Sequence, residues 1–371
     1  MLEVAQSIAR ITTSHRVFKD HKESIGAVAV FPDGRWMVTG SSDKTLRLWD
    51  LKDGVVLKKM EGHSYEVAAA AVSRDGRMIA SGDVNGELIA WHGDTCESLT
   101  QAIKVHSGKI KSLDFSSDGT VLATGSWDQT TELWSTSTWQ VVGNPINCGA
   151  RVQCVRFSPS GEFLAIATAS DIKIWNLRMR KCIAKFKAAI NGGHNTSLAW
   201  TPSGTHLLSA GSKSDPTIRE WDTSTWQQVG DSWSGHTGNI NALAMNSTGT
   251  LIASASSDAN VRLWQLSDQR AIAIFKASSE MYRATFSVDG RYILCGGSDN
   301  NITEWAVPEY VVLEDTSREQ ASEVIPVHFL CRSRSHLAQE LVANGCSRGT
   351  SDEQGEVPLL SASSPSCKLT H

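Results

Sequence analysis

A tryptophan returns at a nearly fixed interval through this chain, and no other feature limits its fold so tightly. Trp49, Trp91, Trp134, Trp175, Trp221, Trp264 and Trp305 follow one another at spacings of 42, 43, 41, 46, 43 and 41 residues. Each closes a variant of one phrase, whose clearest copy is T-G-S-S-D-K-T-L-R-L-W-D from Thr39 to Asp50. Self-similarity at such a period means an array of one supersecondary unit, in which each copy buries its apolar face on the next. The 371 residues are therefore read as one array before they are divided by length into ordinary domains.

Within the period the order of elements is constant. An alternating apolar strand comes first, as in I-G-A-V-A-V from Ile25, I-K-S-L-D-F from Ile110 and I-N-A-L-A-M from Ile240. A turn follows, usually Asp-Gly or Ser-Gly (Asp33-Gly34, Asp118-Gly119, Ser203-Gly204), which supplies the positive φ of a tight hairpin. A second strand, a second turn and a third strand ending on the tryptophan complete the inner part, and a fourth strand lies beyond a short loop. Four short antiparallel strands at this period describe one propeller blade, so seven tryptophans predict seven blades.

The ends of the chain complete the ring. The last unit has inner strands at about 281–286, 291–296 and 301–306, while residues 14–19, S-H-R-V-F-K, read as an outer strand with no unit of its own. Placing that strand on the last unit removes the open edges of the array. The fold class expected is all-β: a seven-bladed β-propeller closed by an N-terminal outer strand, with a mostly disordered C-terminal tail. Residues 1–10 are a lead, 11–306 the propeller, and 307–371 a serine-rich tail in which Ser335–Asn344, followed by Gly345, reads as a short helix.

Bulk properties narrow the function by exclusion. A net charge of −4 gives no whole-chain case for nucleic acid or an anionic membrane. Apolar runs such as Val67–Val72 are far shorter than the ~18 residues of a membrane span, and residues 1–15 lack the apolar core of a secretory signal. The eight cysteines are scattered without C-x-x-C spacing, which reads as reduced thiols in a cytoplasmic or nuclear protein. No cofactor or metal is expected.

The pattern G-H … D-G … S-G-S-x-D … W-D, recurring in register over residues 11–306, resembles the WD-repeat (WD40) family of β-propellers. The resemblance implies a buried histidine, Ser/Thr, aspartate and tryptophan quartet in each complete blade: His21, Thr39, Asp43 and Trp49; His106, Thr124, Asp128 and Trp134; His236, Ser254, Asp258 and Trp264. Indole donates, hydroxyl both donates and accepts, and neutral imidazole relays to carboxylate, so the set closes as a network able to pin strand register. A Ser-His-Asp hydrolase is the competing reading, but a catalytic triad is needed once and this set recurs around the ring. Blade two carries His63, Ser81 and Trp91 with Asn85 at the aspartate position. Blade four has Cys148 for histidine, blade seven has Ala277 and Cys295, and blade five has a longer second turn with Asn191 rather than His194 in register.

Two positional classes reach the face carrying the histidine turns. One lies three residues after the histidine: Ser24, Glu66, Lys109, Arg151, His194, Asn239 and Glu280. The other precedes the turn aspartate: Ser42, Val84, Trp127, Ser214, Ser257 and Ser298. Trp127 intrudes where small residues dominate, and Lys109, Lys111, Arg151 and Gln153 surround it in register. With Glu66, His194 and Tyr282 they define an expected partner-binding face, basic and centred on an aromatic anchor. The function expected is a non-catalytic scaffold, monomeric within a complex, that binds proteins or peptides, acidic segments included, and neither nucleic acid nor membrane directly. An alternative is a substrate receptor of a cullin-RING ubiquitin ligase, docking through Trp175 and Arg178, where W-N-L-R approximates the W-D-x-R of some family members. A G-protein β role is disfavoured because residues 1–10 carry no coiled-coil heptads. A propeller enzyme is disfavoured because the strand starts at the channel (Gly26, Ala68, Lys111, Gln153, Thr196, Asn241, Tyr282) hold no carboxylate and no histidine.

Overall fold

Seven sheets, six of four strands and one of five, succeed one another along the chain in the computed structural model, which describes residues 9–187, 195–309 and 311. Blade one runs Ile25–Val30, Trp36–Ser41, Leu46–Asp50 and Val55–Met60, and each later blade repeats this meander. Blade seven takes its three inner strands from Met281–Phe286, Tyr292–Gly297 and Asn301–Ala306, and its outer strand from Arg16–Lys19. That outer strand pairs antiparallel with the third, Phe18 against Ile302, and Phe18 is fully buried between Trp49 of blade one and Leu294 and Ile302 of its own blade. The N-terminal closure expected from the strand count is therefore present.

Local chemistry accounts for the repeated shape. The glycine of every first turn, from Gly34 to Gly290, has φ between 69° and 76°, as a tight hairpin requires. Asp33 closes its turn by accepting a hydrogen bond from the Arg35 amide at 2.9 Å. The glycine of T-G-S has a different task. A Cβ on Gly40 would lie 2.5 Å from Val67, and one on Gly82 2.6 Å from Ile110, so this position lets the next blade's first strand approach closely. Every first strand carries a bulge after its first residue, as between Ile25 and Ala27, which adds local twist where the strands crowd the axis.

The core lies between blades. Leu46, Leu48 and Met60 of blade one pack on Val67, Ile79, Ile89 and Trp91 of blade two, and similar clusters recur around the ring. Each such side chain, fully buried, contributes about 1.5–3 kcal/mol of transfer free energy.

Several boundaries differ from expectation. Ala9–Ile11 is not part of a free lead: it pairs parallel with Arg270–Lys276 as a fifth strand on blade six. Val307 and Val311, beyond the expected end at 306, are buried in the cluster shared by blades six and seven. The outer strands of blades two and three are only two residues long, Ile103–Lys104 and Ile146–Asn147. Trp139 and Trp226 end the turns that precede the outer strands, at φ 53° and 57°. Trp226 packs there against Phe163, Phe186 and Trp200. The short helix expected over 335–344, the tail other than residues 307–309 and 311, and His194 lie outside the described residues.

Candidate interaction face and central channel

The polar quartets come together as relays. In blade one the Trp49 indole donates to the Thr39 hydroxyl at 2.8 Å, Thr39 and His21 Nε2 lie 2.8 Å apart, and His21 Nδ1 meets Asp43 at 2.8 Å. His106, Thr124, Asp128 and Trp134 repeat this, as do His236, Ser254, Asp258 and Trp264. Burial pushes the His21 and His106 imidazoles below their ordinary pKa, which favours the neutral relay form. Burial also works to raise Asp43, but hydrogen bonds from Thr45 and His21 outweigh it and hold the carboxyl at about 2. Each of the four members is bonded to the next.

Blade two corrects the reading of its aspartate. Asn85 does not take that place; Asp83, two residues earlier on the end of the second strand, reaches His63 Nδ1 at 3.2 Å. The same carboxylate accepts the Asn85 and Glu87 amides, so the network is complete with its acid moved along the chain. The sequence signal was a buried aspartate where blades one, three and six carry serine. Blade four has no such substitute: Ile166 stands opposite Lys173, where Thr39 stands opposite Arg47. In blade five the Trp221 indole still donates to Ser209 at 2.9 Å. In blade seven Cys295 takes the hydroxyl position, and the Trp305 indole nitrogen is buried without a partner.

The two positional classes of the face are joined by backbone. Trp127 donates its amide to the Lys109 carbonyl at 3.0 Å, and the same bond links Ser42 to Ser24, Val84 to Glu66, Ser257 to Asn239 and Ser298 to Glu280. Trp127 is 37% exposed although it is one of the largest side chains on its blade. The Lys109 ammonium lies 5.3 Å from its ring centroid and the Arg151 guanidinium, from the adjoining blade, also 5.3 Å. Each such cation–π contact is worth about 0.5–1 kcal/mol at an exposed site. The indole thus bridges blades three and four and still presents surface to solvent.

The other expected face residues sort differently. Glu66, Lys109, Lys111 and Tyr282 line a cavity of about 360 Å³ at the channel mouth. Gln153 lies deeper, in a chamber of about 80 Å³ that Lys111 also lines. Arg156 and Arg283 belong to that chamber too and were missed in the sequence. At the Arg283 register the other first strands carry only Ala, Ser or Cys, so an arginine there was the available signal. Among the described residues there is no group of three or more His, Cys, Asp or Glu placed to hold a metal ion.

Trp175 and Arg178 lie at the other end of their blade. The Leu177 amide bonds the Glu162 carbonyl of the first turn, as Leu51 bonds Arg35. Asn176 is buried and accepts the Met179 amide at 2.8 Å, the turn-closing role that Asp50 performs for Lys52 and Asp53. Trp175 is half-buried beside a groove of about 810 Å³ between blades three and four, and Arg178 is exposed.

Seven blades, closed by the outer strand of a repeat that begins at the N-terminus, and a recurrent Trp-hydroxyl-His-Asp relay define a repeat β-propeller. The chain belongs to the WD40 family: the family model described as WD domain, G-beta repeat matches residues 12–50, 54–92, 97–135, 142–176, 180–222 and 227–265. The three inner strands of the seventh blade, with Ala277 and Cys295 in place of histidine and hydroxyl, fall outside these matches. A guanine nucleotide-binding protein subunit beta of Zea mays is 35% identical over 132 residues, covering 33% of this chain and 35% of that protein. The chain thus matches about a third of the length of that relative. A small ribosomal subunit protein RACK1y of Oryza sativa subsp. japonica is 25% identical over 266 residues, 57% of this chain and 78% of its own. A serine-threonine kinase receptor-associated protein of Gallus gallus is 24% identical over 291 residues, 78% and 80% of the two chains. Members of the family are protein-interaction scaffolds, generally without catalytic activity. Among the described residues no helix is long and apolar enough to cross a membrane.

Proposed function

We propose that this chain is a non-catalytic scaffold of the cytoplasm or nucleus, whose histidine-turn face binds acidic segments of partner proteins at Trp127. The supporting observation is an exposed indole held between two cations, Lys109 and Arg151, from two blades. Tryptophan and arginine are the commonest interface anchors, and the cationic flanks select an acidic partner through complementarity of charge. The names of its relatives, a G-protein subunit, a ribosomal subunit protein and a receptor-associated protein, are those of components or associates of larger assemblies, which favours a scaffold over an enzyme.

Affinity purification from native extract with wild type, Trp127→Ala and Arg151→Glu tests this reading. Loss of an interface anchor costs about 2 kcal/mol or more, a drop of about thirtyfold in affinity, so both variants are expected to lose partners at an unchanged melting temperature. Retention of every partner by Trp127→Ala overturns it. The ligase-receptor alternative uses Arg178, which is exposed at the other end of blade four. It stands only if Arg178→Ala removes a co-purifying cullin-RING ligase while the Trp127 partners remain.

A further inference from the structure

The channel carries a second cluster of cations, apart from the Trp127 surface. In register with Arg283 the other six first strands place Ala27, Ala69, Ser112, Cys154, Ser197 and Ala242. Blade seven alone fills this small-residue ring with a long cation. The Arg283 guanidinium donates to its own neighbour Tyr282 O at 2.9 Å and reaches Ala68 O of blade two at 2.9 Å. Arg156 enters from blade four, donating to Val155 O at 2.8 Å and Ser112 Oγ at 3.2 Å. Lys111 enters from blade three, and among the described residues its ammonium has neither a hydrogen-bond nor an ion-pair partner.

These three cations line the chamber of about 80 Å³, and its lining contains no carboxylate. Neutral carbonyls satisfy guanidinium donors but leave their charge uncompensated. Buried Asp114 partly offsets the Arg156 charge while accepting the Phe157 amide at 2.7 Å, so the charge with no carboxylate in the chamber lining to meet it is that of Lys111 and Arg283. Glu66 and Glu280 are exposed at the rim, in water. The cations feel one another: Arg283 and then burial hold the Lys111 ammonium well below its usual range, while burial and Arg156 push Arg283 down to about 10. One water needs about 10–15 Å³ of such space, so the chamber admits a single tetrahedral anion or phosphoryl group but not the backbone of a peptide that carries it. The wider mouth above it, lined by Lys109, gives a route in.

We propose that the neck of the central channel is a binding site for one compact multivalent oxyanion of the phosphate class, held by Lys111 and Arg283 with Arg156 beneath. Bidentate guanidinium–oxyanion geometry and a point-charge ammonium are the usual means of holding such a group. The source is either free phosphate or a phosphoryl group on a partner's side chain that enters from the mouth. The site is independent of the Trp127 surface, since neither Trp127 nor Arg151 lines the chamber.

Isothermal titration with inorganic phosphate, at constant ionic strength in a phosphate-free buffer, tests it. Wild type is expected to bind one ion saturably, and Trp127→Ala to bind it equally well. Arg283→Gln and Lys111→Met are each expected to bind about tenfold more weakly, the worth of one charge-assisted hydrogen bond. Lys111→Met removes no protein hydrogen bond, so it carries the test even where Arg283→Gln fails to fold. No saturable binding by wild type at millimolar phosphate, or equal binding by wild type and Lys111→Met, overturns the proposal. A capped phosphoserine peptide supplies the second arm: tighter binding than phosphate assigns the site to a phosphorylated partner, and weaker binding assigns it to the free ion.

Discussion

Blades six and seven have nearly the same backbone and different interiors. Both pair Ile252 with Trp264 or Ile293 with Trp305 in one register, and both bulge after the first residue of the first strand. Blade six fills the space beside its tryptophan with Ser254, His236 and Asp258, each bonded to the next. Blade seven puts Cys295 there, fully buried, and leaves the Trp305 indole nitrogen without a partner. Among the described residues its Asp299 bonds the exposed Ser278 and the Asn301 amide. The relay is thus dispensable for the blade's backbone. Apolar packing, turn glycines and the bulge set the meander, and the relay adds a penalty against any register that would leave its members unpaired.

The largest expected effect that would break this comparison is at the two aspartates. Asp258→Ala leaves His236 and two backbone amides without their acceptor and is expected to cost about 3 kcal/mol in urea unfolding, whereas Asp299→Ala costs under about 1 kcal/mol. Equal losses at the two sites would mean that the relay carries no special weight.

A smaller effect is expected from pH. The buried imidazoles of His21 and His106 have folded pKa values below the ordinary 6.5, so just below that pH the unfolded chain binds more protons than the folded one. Their contribution is full above pH 6.5 and declines as pH falls through it. Asp43, held at about 2 against 3.8, contributes fully above 3.8 and is lost from there down to about 2. Urea midpoints measured from about pH 7 to about pH 5 should fall, and the paired His21→Gln and His106→Gln variant should show a flatter profile from a lower start.

The smallest change is a repair. Cys295→Ser places a hydroxyl where Ser254 stands in blade six and gives the Trp305 indole an acceptor, for an expected gain of about 0.5–1.5 kcal/mol. A loss of stability would show that the thiol's packing is worth more than the missing hydrogen bond.

Much of the architecture was legible because its signals are local and repeated. The tryptophan interval, the Asp-Gly turns and the spare strand at 14–19 require only the chain's own order. The quartets at His21, His106 and His236 were legible for the same reason, since their members keep fixed separations. Asp83 escaped because the carboxylate moved by two residues while its oxygen still reached His63, a matter of side-chain length that spacing does not record. Trp127 was legible as an intruder in a small-residue position, but its contact with Arg151 depends on how one blade is set against the next.

What the sequence determined by itself was therefore the unit: the number of blades, their strand order, the closing strand and the residues placed on each turn. What the tertiary structure decided was everything that meets across the axis. Arg283 and Ala68 are 215 positions apart and touch only because the ring closes. The parallel addition of Ala9–Ile11 to blade six depends on where the closed ring leaves an outer edge. Lys111, Arg156 and Arg283 lie on three different first strands and become a cationic chamber only when those blades converge. Periodicity reports contacts within a repeat and between neighbours; a channel is built from residues whose separation is a multiple of the repeat, and no local pattern fixes which of them will face one another.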